Sequence, residues 1–242
     1  MALLKSNGIV VRSVKYGESS LILEILTETD GLTSFIVSGV RKKKGATASL
    51  YRPMQQLSIV HYPSKGESLA RIKEVKLSYH YNQLLSDVPT TALGNFLIEC
   101  TQKVAKEKDI KSRFYGFLID SLLYIDQYPT EVNNYHLYFI SKLAELCGYE
   151  IEENYSEVNC FFDITQGNFT SHEVIYELYR PDQELARLLY FILSSEEYQL
   201  QTLKLSRDEK YAFLDMMLAY FGYHVPGFTR PKSLDVFKVV FG

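Results

Sequence analysis

Two periodicities divide the chain. Up to about residue 80, apolar and polar side chains alternate at every second position, the spacing of strands that set one face in a core and the other in water. "SLILEIL" (20–26) puts Leu21, Leu23 and Ile25 on one face, and "TSFIVSG" (33–39) sets Phe35 and Val37 against Ser34 and Ser38. "LSIVHY" (57–62) sets Leu57, Ile59 and His61 against Ser58, Val60 and Tyr62, while "GIVVRSV" (8–14) is rich in β-branched residues. "LARIKEVKL" (69–77) alternates with a fault, because Arg71 and Lys73 share the parity of Leu69 and Val75. Either a bulge changes the facing there, or this end of the sheet presents cations on its surface. Turn residues separate the runs at Tyr16-Gly17-Glu18, Asp30-Gly31, Gly39, Pro53 and Pro63 to Gly66. Five short strands, with a longer insertion at 40–54 between the third and fourth, match the count and spacing of a small OB-type barrel; an SH3-like barrel has the same signature.

From about residue 87 the apolar spacing lengthens to 3.6. Leu93, Phe96, Leu97, Cys100 and Val104 form one helical stripe, and Phe114, Phe117, Leu118, Leu122 and Ile125 form a second that stops at Pro129. A third runs through Leu137, Ile140, Leu143, Ala144 and Cys147 to Gly148, which suits the left-handed residue beyond a helix end. "PDQELARLLYFILS" is a further helix. "SRDEKYAFLDMMLAYFGYH" opens with Ser206 and Glu209 at capping-box spacing and is expected to end at Gly222. A short last helix over "PKSLDVFKVVF" is expected to be capped by Ser233. Between 155 and 175 Gly167 and a group of aromatics break the helical pattern. The expected fold is α+β, an OB-type barrel over residues 1–80 followed by an all-α domain over 81–242 with an irregular segment at 155–175.

Charge sharpens this division. The chain of 242 residues has a net charge of −3, yet residues 1–80 hold 12 Lys and Arg against 6 Asp and Glu, whereas 81–242 hold 14 against 23. Such asymmetry is the compositional mark of a part that faces a polyanion joined to a part that faces something else; two domains with unrelated surfaces would also produce it. Hydrophobic content of 46% and charged content of 23% are globular values that exclude wholesale disorder. Cys100, Cys147 and Cys160 form no C-x-x-C pair and no even framework, which points to a reducing compartment. The opening residues carry no signal-peptide pattern, and no run approaches the ~20 apolar residues of a membrane span. A cytoplasmic protein is expected.

The catalytic inventory is thin. Phosphate-cradling, zinc-protease and serine-hydrolase motifs are all missing, so no enzyme activity is expected. The acidic run Glu150, Glu152, Glu153 and Glu157 reads as a solvated loop, and Cys160 with His172 falls short of the four ligands of structural zinc. "GVRKKKGATASLYRP" (39–53), in contrast, places Arg41, Lys42, Lys43 and Lys44 side by side in the insertion. Tyr16, Tyr51, Tyr62, Tyr79 and Tyr81 lie near the expected strand ends, close in sequence to Lys15, Arg52, Arg71 and Lys73. Single-strand binding needs this pairing of a cationic track with π-faces. Packing explains each tyrosine alone, and solubility explains each cation alone.

The stretch at 8–45 resembles the opening of the RecO family of bacterial DNA repair and recombination-mediator proteins. The likeness rests on Gly8-Ile9-Val10, Tyr16-Gly17-Glu18-Ser19, Leu26-Thr27-Glu28, Gly31, and Gly39 with the basic cluster after it. It continues through Leu50 and Pro53, "LLSDVP", Leu146-Cys147-Gly148-Tyr149 and "YFGYHV…RPKSLDVF". The resemblance implies an N-terminal OB-fold, a helical C-terminal domain, binding of single- and double-stranded DNA, strand annealing, recombinase loading, association with the nucleoid, and partnership with RecR and the tail of the single-stranded-DNA-binding protein SSB. It places the family's basic cluster at Arg41, Lys42, Lys43 and Lys44, and with these Lys15, Tyr51, Arg52, Arg71 and Lys73 are the expected DNA-binding residues. Many members carry a four-cysteine zinc site in the helical domain; "NCFFDITQGNFTSHE" keeps Phe162-Asp163, Gly167 and Phe169 but only Cys160 of the cysteines. A variant without zinc or other cofactor is expected, packed by Phe161, Phe162 and Phe169. An RNA-binding or translation-associated OB protein remains the alternative, because DNA and RNA differ for such a site only at the 2′-hydroxyl.

Overall fold

The computed structural model describes residues 3–40, 46–63, 69–105, 111–174 and 182–241. The chain forms two compact units, residues 1–127 and 128–242. The first holds five strands, β1 (Leu4–Tyr16), β2 (Ser20–Thr27), β3 (Gly31–Val37), β4 (Gln56–Tyr62) and β5 (Ala70–Leu77), with a single turn of helix, α1 (Ala46–Ser49), between β3 and β4. They close into a barrel of order β1-β2-β3-β5-β4, antiparallel except for the β3–β5 pair. That circuit, in which β1 borders both β2 and β4, is the OB arrangement and settles the choice against the SH3-like one.

The β1 strand serves two neighbours by bending. Its first half pairs with β4 (Leu4↔His61 to Ile9↔Gln56), its second half with β2, and a bulge between Val10 and Arg12 marks the change. Gly8 sits where all three strands converge. A Cβ there would lie 2.4 Å from Ile25 Cγ2 and 3.1 Å from the Leu26 carbonyl. Ile25 is fully buried and has nowhere to go. Gly8→Ala is therefore expected to destabilise the barrel by about 2 kcal/mol, read as a lower guanidinium midpoint. The barrel interior is filled by Val10, Leu23, Ile25, Phe35, Leu57 and Ile59, the inward set that the alternation predicts.

Two helices, α2 (Val88–Val104) and α3 (Lys111–Gln127), complete this unit. The boundary expected near residue 80 coincides with the end of the barrel, but the compact unit runs on to Gln127. Two devices hold the helices in place. Met54, with φ of 74°, is the one non-glycine in left-handed backbone among the described residues, and its sulfur fills the space that a Cβ at Gly94 of α2 would occupy. Asp126, near the end of α3 and 2% exposed, accepts hydrogen bonds from the backbone N–H groups of Asn82, Gln83 and Leu84 at 3.0, 2.8 and 2.9 Å. The segment after the barrel is thereby tied to the second helix.

The second unit contains α4 (Tyr135–Leu146), a hairpin of β6 (Phe161–Asp163) and β7 (Asn168–Thr170), α5 (Gln183–Leu193), a 3-10 turn (Glu197–Thr202), α6 (Arg207–His224) and α7 (Ser233–Val240). The capping box is present, with Glu209 N donating to Ser206 Oγ and Ser206 N to the Glu209 carboxylate. Two expected ends move. α6 continues past Gly222 to His224, and α7 begins at Ser233 with Lys232 as its N-cap. The segment expected to be irregular contains the β6–β7 hairpin, and rings hold it. Phe162 and Phe169 are buried against each other at 5.5 Å, Phe162 meets Tyr220 at 5.7 Å, and Tyr155 stacks on Tyr190 at 5.0 Å. Phe161 is only half-buried. Asn154 adds a pseudo-strand edge, giving and taking one hydrogen bond each with the Phe169 backbone.

Candidate nucleic-acid interface

The strand register decides where the predicted site residues lie. Lys15 pairs with Leu21 at the open end of β1, beside the β1–β2 turn, and is exposed. Arg71 is exposed at the start of β5, with Ile36 on one side and Tyr62 on the other. Both belong to the end of the barrel at which β3 finishes and the basic insertion leaves it. Arg41, Lys42, Lys43 and Lys44 themselves lie outside the described residues. The chain on either side of them is anchored, since Val40 and Tyr51 are 2% and 3% exposed and belong to the barrel core.

The fault in β5 is a bulge. Val60 pairs with Glu74 and His61 with Ile72, so Lys73 is the extra residue between them. Ala70, Ile72, Val75 and Leu77 share the inner face, and Arg71, Glu74 and Lys76 point outward. Lys76 is an outward cation that the regular alternation gave no reason to separate from the rest; the bulge is the signal that would have found it. Lys73 is exposed and contacts its neighbour Glu74 at 3.8 Å, an exposed pair worth little in water.

One of the predicted residues needs correction, and another lies apart from the rest. Tyr51 is no stacking platform, because it is buried in the barrel core and burial pushes its phenol pKa up. Arg52 is exposed but sits in the connection that enters β4, where Met54 and Gln55 bond to the Val10 backbone, at the opposite end of β4 from Tyr62 and Arg71. It does not join Lys15 and Arg71. Among the other tyrosines, Tyr16 is 55% exposed. Tyr79 and Tyr81 pack edge-to-face at 5.2 Å, and the Tyr81 hydroxyl accepts a hydrogen bond from Gln56 at 2.9 Å. Burial raises the Tyr81 pKa, so this pair belongs to the packing at the barrel exit.

The carboxylates fall into structural roles. Glu24 holds Arg12 at 3.1 Å and also contacts Gln102 of α2. Lys15, Arg52 and Arg71 have no ion pair among the described residues. In the second unit Asp182 caps α5 by accepting from Glu184 N and Leu185 N, and one oxygen of Asp163 accepts from Thr165 N, Thr165 Oγ1 and Gln166 N. Zinc does not fit this hairpin: Cys160 is the one thiol beside it, Asp163 is occupied by the turn, and no three His, Cys, Asp or Glu side chains gather among the described residues. Among those residues no helix is long and apolar enough to cross a membrane.

Comparison with known proteins gives a consistent answer along the whole chain. The family model described as "Recombination protein O N terminal" matches residues 1–81, and that described as "Recombination protein O C terminal" matches residues 85–235. A protein of Christiangramia forsetii named DNA repair protein RecO is 29% identical, over 99% of this chain and 100% of its own length. Proteins of the same name from Phocaeicola vulgatus and Flavobacterium psychrophilum are 30% and 28% identical, covering 99% and 98% of this chain and 99% of each relative.

Proposed function

The chain belongs to the RecO family of DNA repair proteins, and from that premise we propose that it is a recombination mediator which binds single- and double-stranded DNA and anneals complementary strands. The observation that carries this reading is the excess of positive charge in the barrel sequence, 12 cations against 6 carboxylates in residues 1–80. Cations that neutralise two phosphate backbones at once lower the repulsion between complementary strands, and no covalent chemistry is required. Arg41 to Lys44 supply the main phosphate contacts in this reading, helped by Lys15, Arg52, Arg71 and Lys73, with Lys76 added from the register of β5. Counterion release then makes binding salt-dependent, and about four to six contacts give a slope of log K against log salt of about −3 to −4 for single strands.

Replacing Arg41, Lys42, Lys43 and Lys44 together with alanine is expected to flatten that slope by about two units or more and to weaken all sequences alike. Fluorescence-monitored annealing across a salt series, with and without chelator, reads both effects. An unchanged slope removes the insertion from the site. A matched RNA oligomer that competes better than DNA replaces the DNA reading with the RNA one.

The second unit, with its excess of carboxylates, suits protein partners, RecR and the acidic, apolar SSB tail among them. Of the cations available to such a tail, Lys103 and Lys142 are paired with Glu99 and Glu145, Arg113 is exposed, and Lys106 and the Lys111 side chain lie outside the described residues. A groove of about 270 Å³ between α5 and the start of α6 offers the apolar slot, lined by Leu185, Leu188, Phe191 and Leu203; Arg187 is the cation beside it, and Glu184 and Glu209 line it too and oppose an acidic tail. A labelled tail peptide that fails to bind in titration removes this docking site and leaves the DNA reading intact.

A further inference from the structure

α6 is buried around most of its circumference, by Phe213, Met216, Met217, Tyr220 and Phe221 among others, but one stripe of it stays open. On that stripe Asp215 and Ala219 are half-buried, and Gly222 and Tyr223 are exposed. With Phe228 and Arg230, from the segment after the helix, they line a groove of about 510 Å³. Nothing inside the chain demands a glycine in it. The Gly222 backbone is not left-handed, and a Cβ there would meet no atom within 4 Å. Glycine is a poor helix former, and what it offers in exchange is close approach by another molecule. The next residue, Tyr223, stands out at 54% exposure.

A projection and a recess therefore lie side by side on one face. A two-fold interface requires that combination, because the same patch meets itself and has to supply both parts of each contact. Charge narrows the occupant further. Asp215 already holds Arg230 and, at 3.8 Å, Lys238, so the cations at the groove are matched and an acidic segment gains little there. A patch that carries both signs complements a copy of itself. We propose that the chain pairs with a second copy through this groove, α6 crossing α6 in antiparallel about an axis at the level of residue 221. Tyr223 then lies on the partner's Ala219 and the partner's Gly222, and Arg230 turns toward the partner's Asp215. The pairing goes beyond the DNA-binding reading and does not depend on it.

Sedimentation of the full chain over a micromolar concentration series tests this, the wild type being expected to move from the monomer mass toward twice that mass. Gly222→Leu fills the recess with a better helix former whose Cβ has open space, so it is expected to keep the circular dichroism and thermal midpoint of the wild type. It is expected to weaken pairing by about tenfold or more, as is Tyr223→Ala, which removes the projection. Asp215→Arg alone and Arg230→Asp alone each set like charges against one another across the axis and are expected to stay monomeric. Mixed in equal amounts, the two variants present opposite charges and are expected to pair, a rescue that damage within one chain cannot produce. A wild type that stays monomeric throughout, a pair that Gly222→Leu and Tyr223→Ala leave intact, or a mixture that fails to associate overturns the proposal. A monomer that takes up an acidic, apolar peptide in this groove, blocked by Gly222→Leu, gives the face to another partner and overturns it too. Should Tyr223→Ala or a charge variant unfold, Gly222→Leu decides alone.

Discussion

Asp126→Ala is expected to destabilise the amino-terminal unit by about 3 kcal/mol or more, measured by guanidinium unfolding. The carboxylate is buried and is the acceptor for three successive backbone N–H groups, at Asn82, Gln83 and Leu84. Its removal strands the buried Leu84 donor, at a cost of about 1–3 kcal/mol, takes the acceptor from the partly buried Asn82 and Gln83 donors, and leaves a cavity in addition. Asp126→Asn keeps one acceptor oxygen and turns an NH₂ toward the remaining donors, so an intermediate loss is expected. The ladder pairing of β1 to β5 is untouched. Folded Asp126→Asn should therefore retain the wild-type salt slope on DNA, which separates this structural clamp from the proposed site.

The second large effect is an acid-dependent loss of stability in the helical unit. His136 of α4 is 1% exposed, both ring nitrogens lack hydrogen-bond partners, and Phe237 and Phe241 lie at 4.8 and 6.5 Å. Burial, aided by the nearby charge of Lys210, pushes its pKa down from 6.5 to about 3. The folded state therefore keeps a neutral imidazole where the unfolded chain takes up a proton. Stability is full above pH 6.5 and falls as pH drops from there toward 3, at a rate approaching 1.4 kcal/mol per pH unit, roughly one proton. Urea midpoints at pH 7.5, 6.0 and 5.0 should show this decline. His136→Leu should remove about one proton from the pH dependence and, by deleting two orphaned polar atoms, leave stability at pH 7.5 equal or higher. An unchanged slope would mean that other groups govern the acid transition.

The features of the fold that were legible in the sequence are local ones. Alternation at Leu21, Leu23 and Ile25, at Phe35 and Val37, and at Leu57, Ile59 and His61 identified the inward faces, since a strand with one wet face must repeat every second residue. The capping box at Ser206 was legible for the same reason, because donor and acceptor lie within one helical turn. What the sequence hid depends on distant partners. The fault at Arg71 and Lys73 is visible in the alternation, but only the β4 register assigns the bulge to Lys73, and that one residue sets the facing of everything after it. Tyr51 follows a basic run and looked like part of it, yet the barrel core claims the ring. The β6–β7 hairpin escaped notice because three-residue strands have too few positions to show a period. The attachment of α2 and α3 to the barrel rests on Met54 against Gly94 and on Asp126 reaching back more than forty residues, and neither pairing leaves a local trace.

The hairpin clamp has a bearing on how such a protein fares under stress. Packed rings, an Asn154 bridge and an aspartate turn hold this hairpin, and none of them uses a thiolate for an oxidant to attack or a metal for a chelator to strip. Peroxide and metal starvation, conditions that themselves break DNA or accompany its breakage, act on none of those contacts.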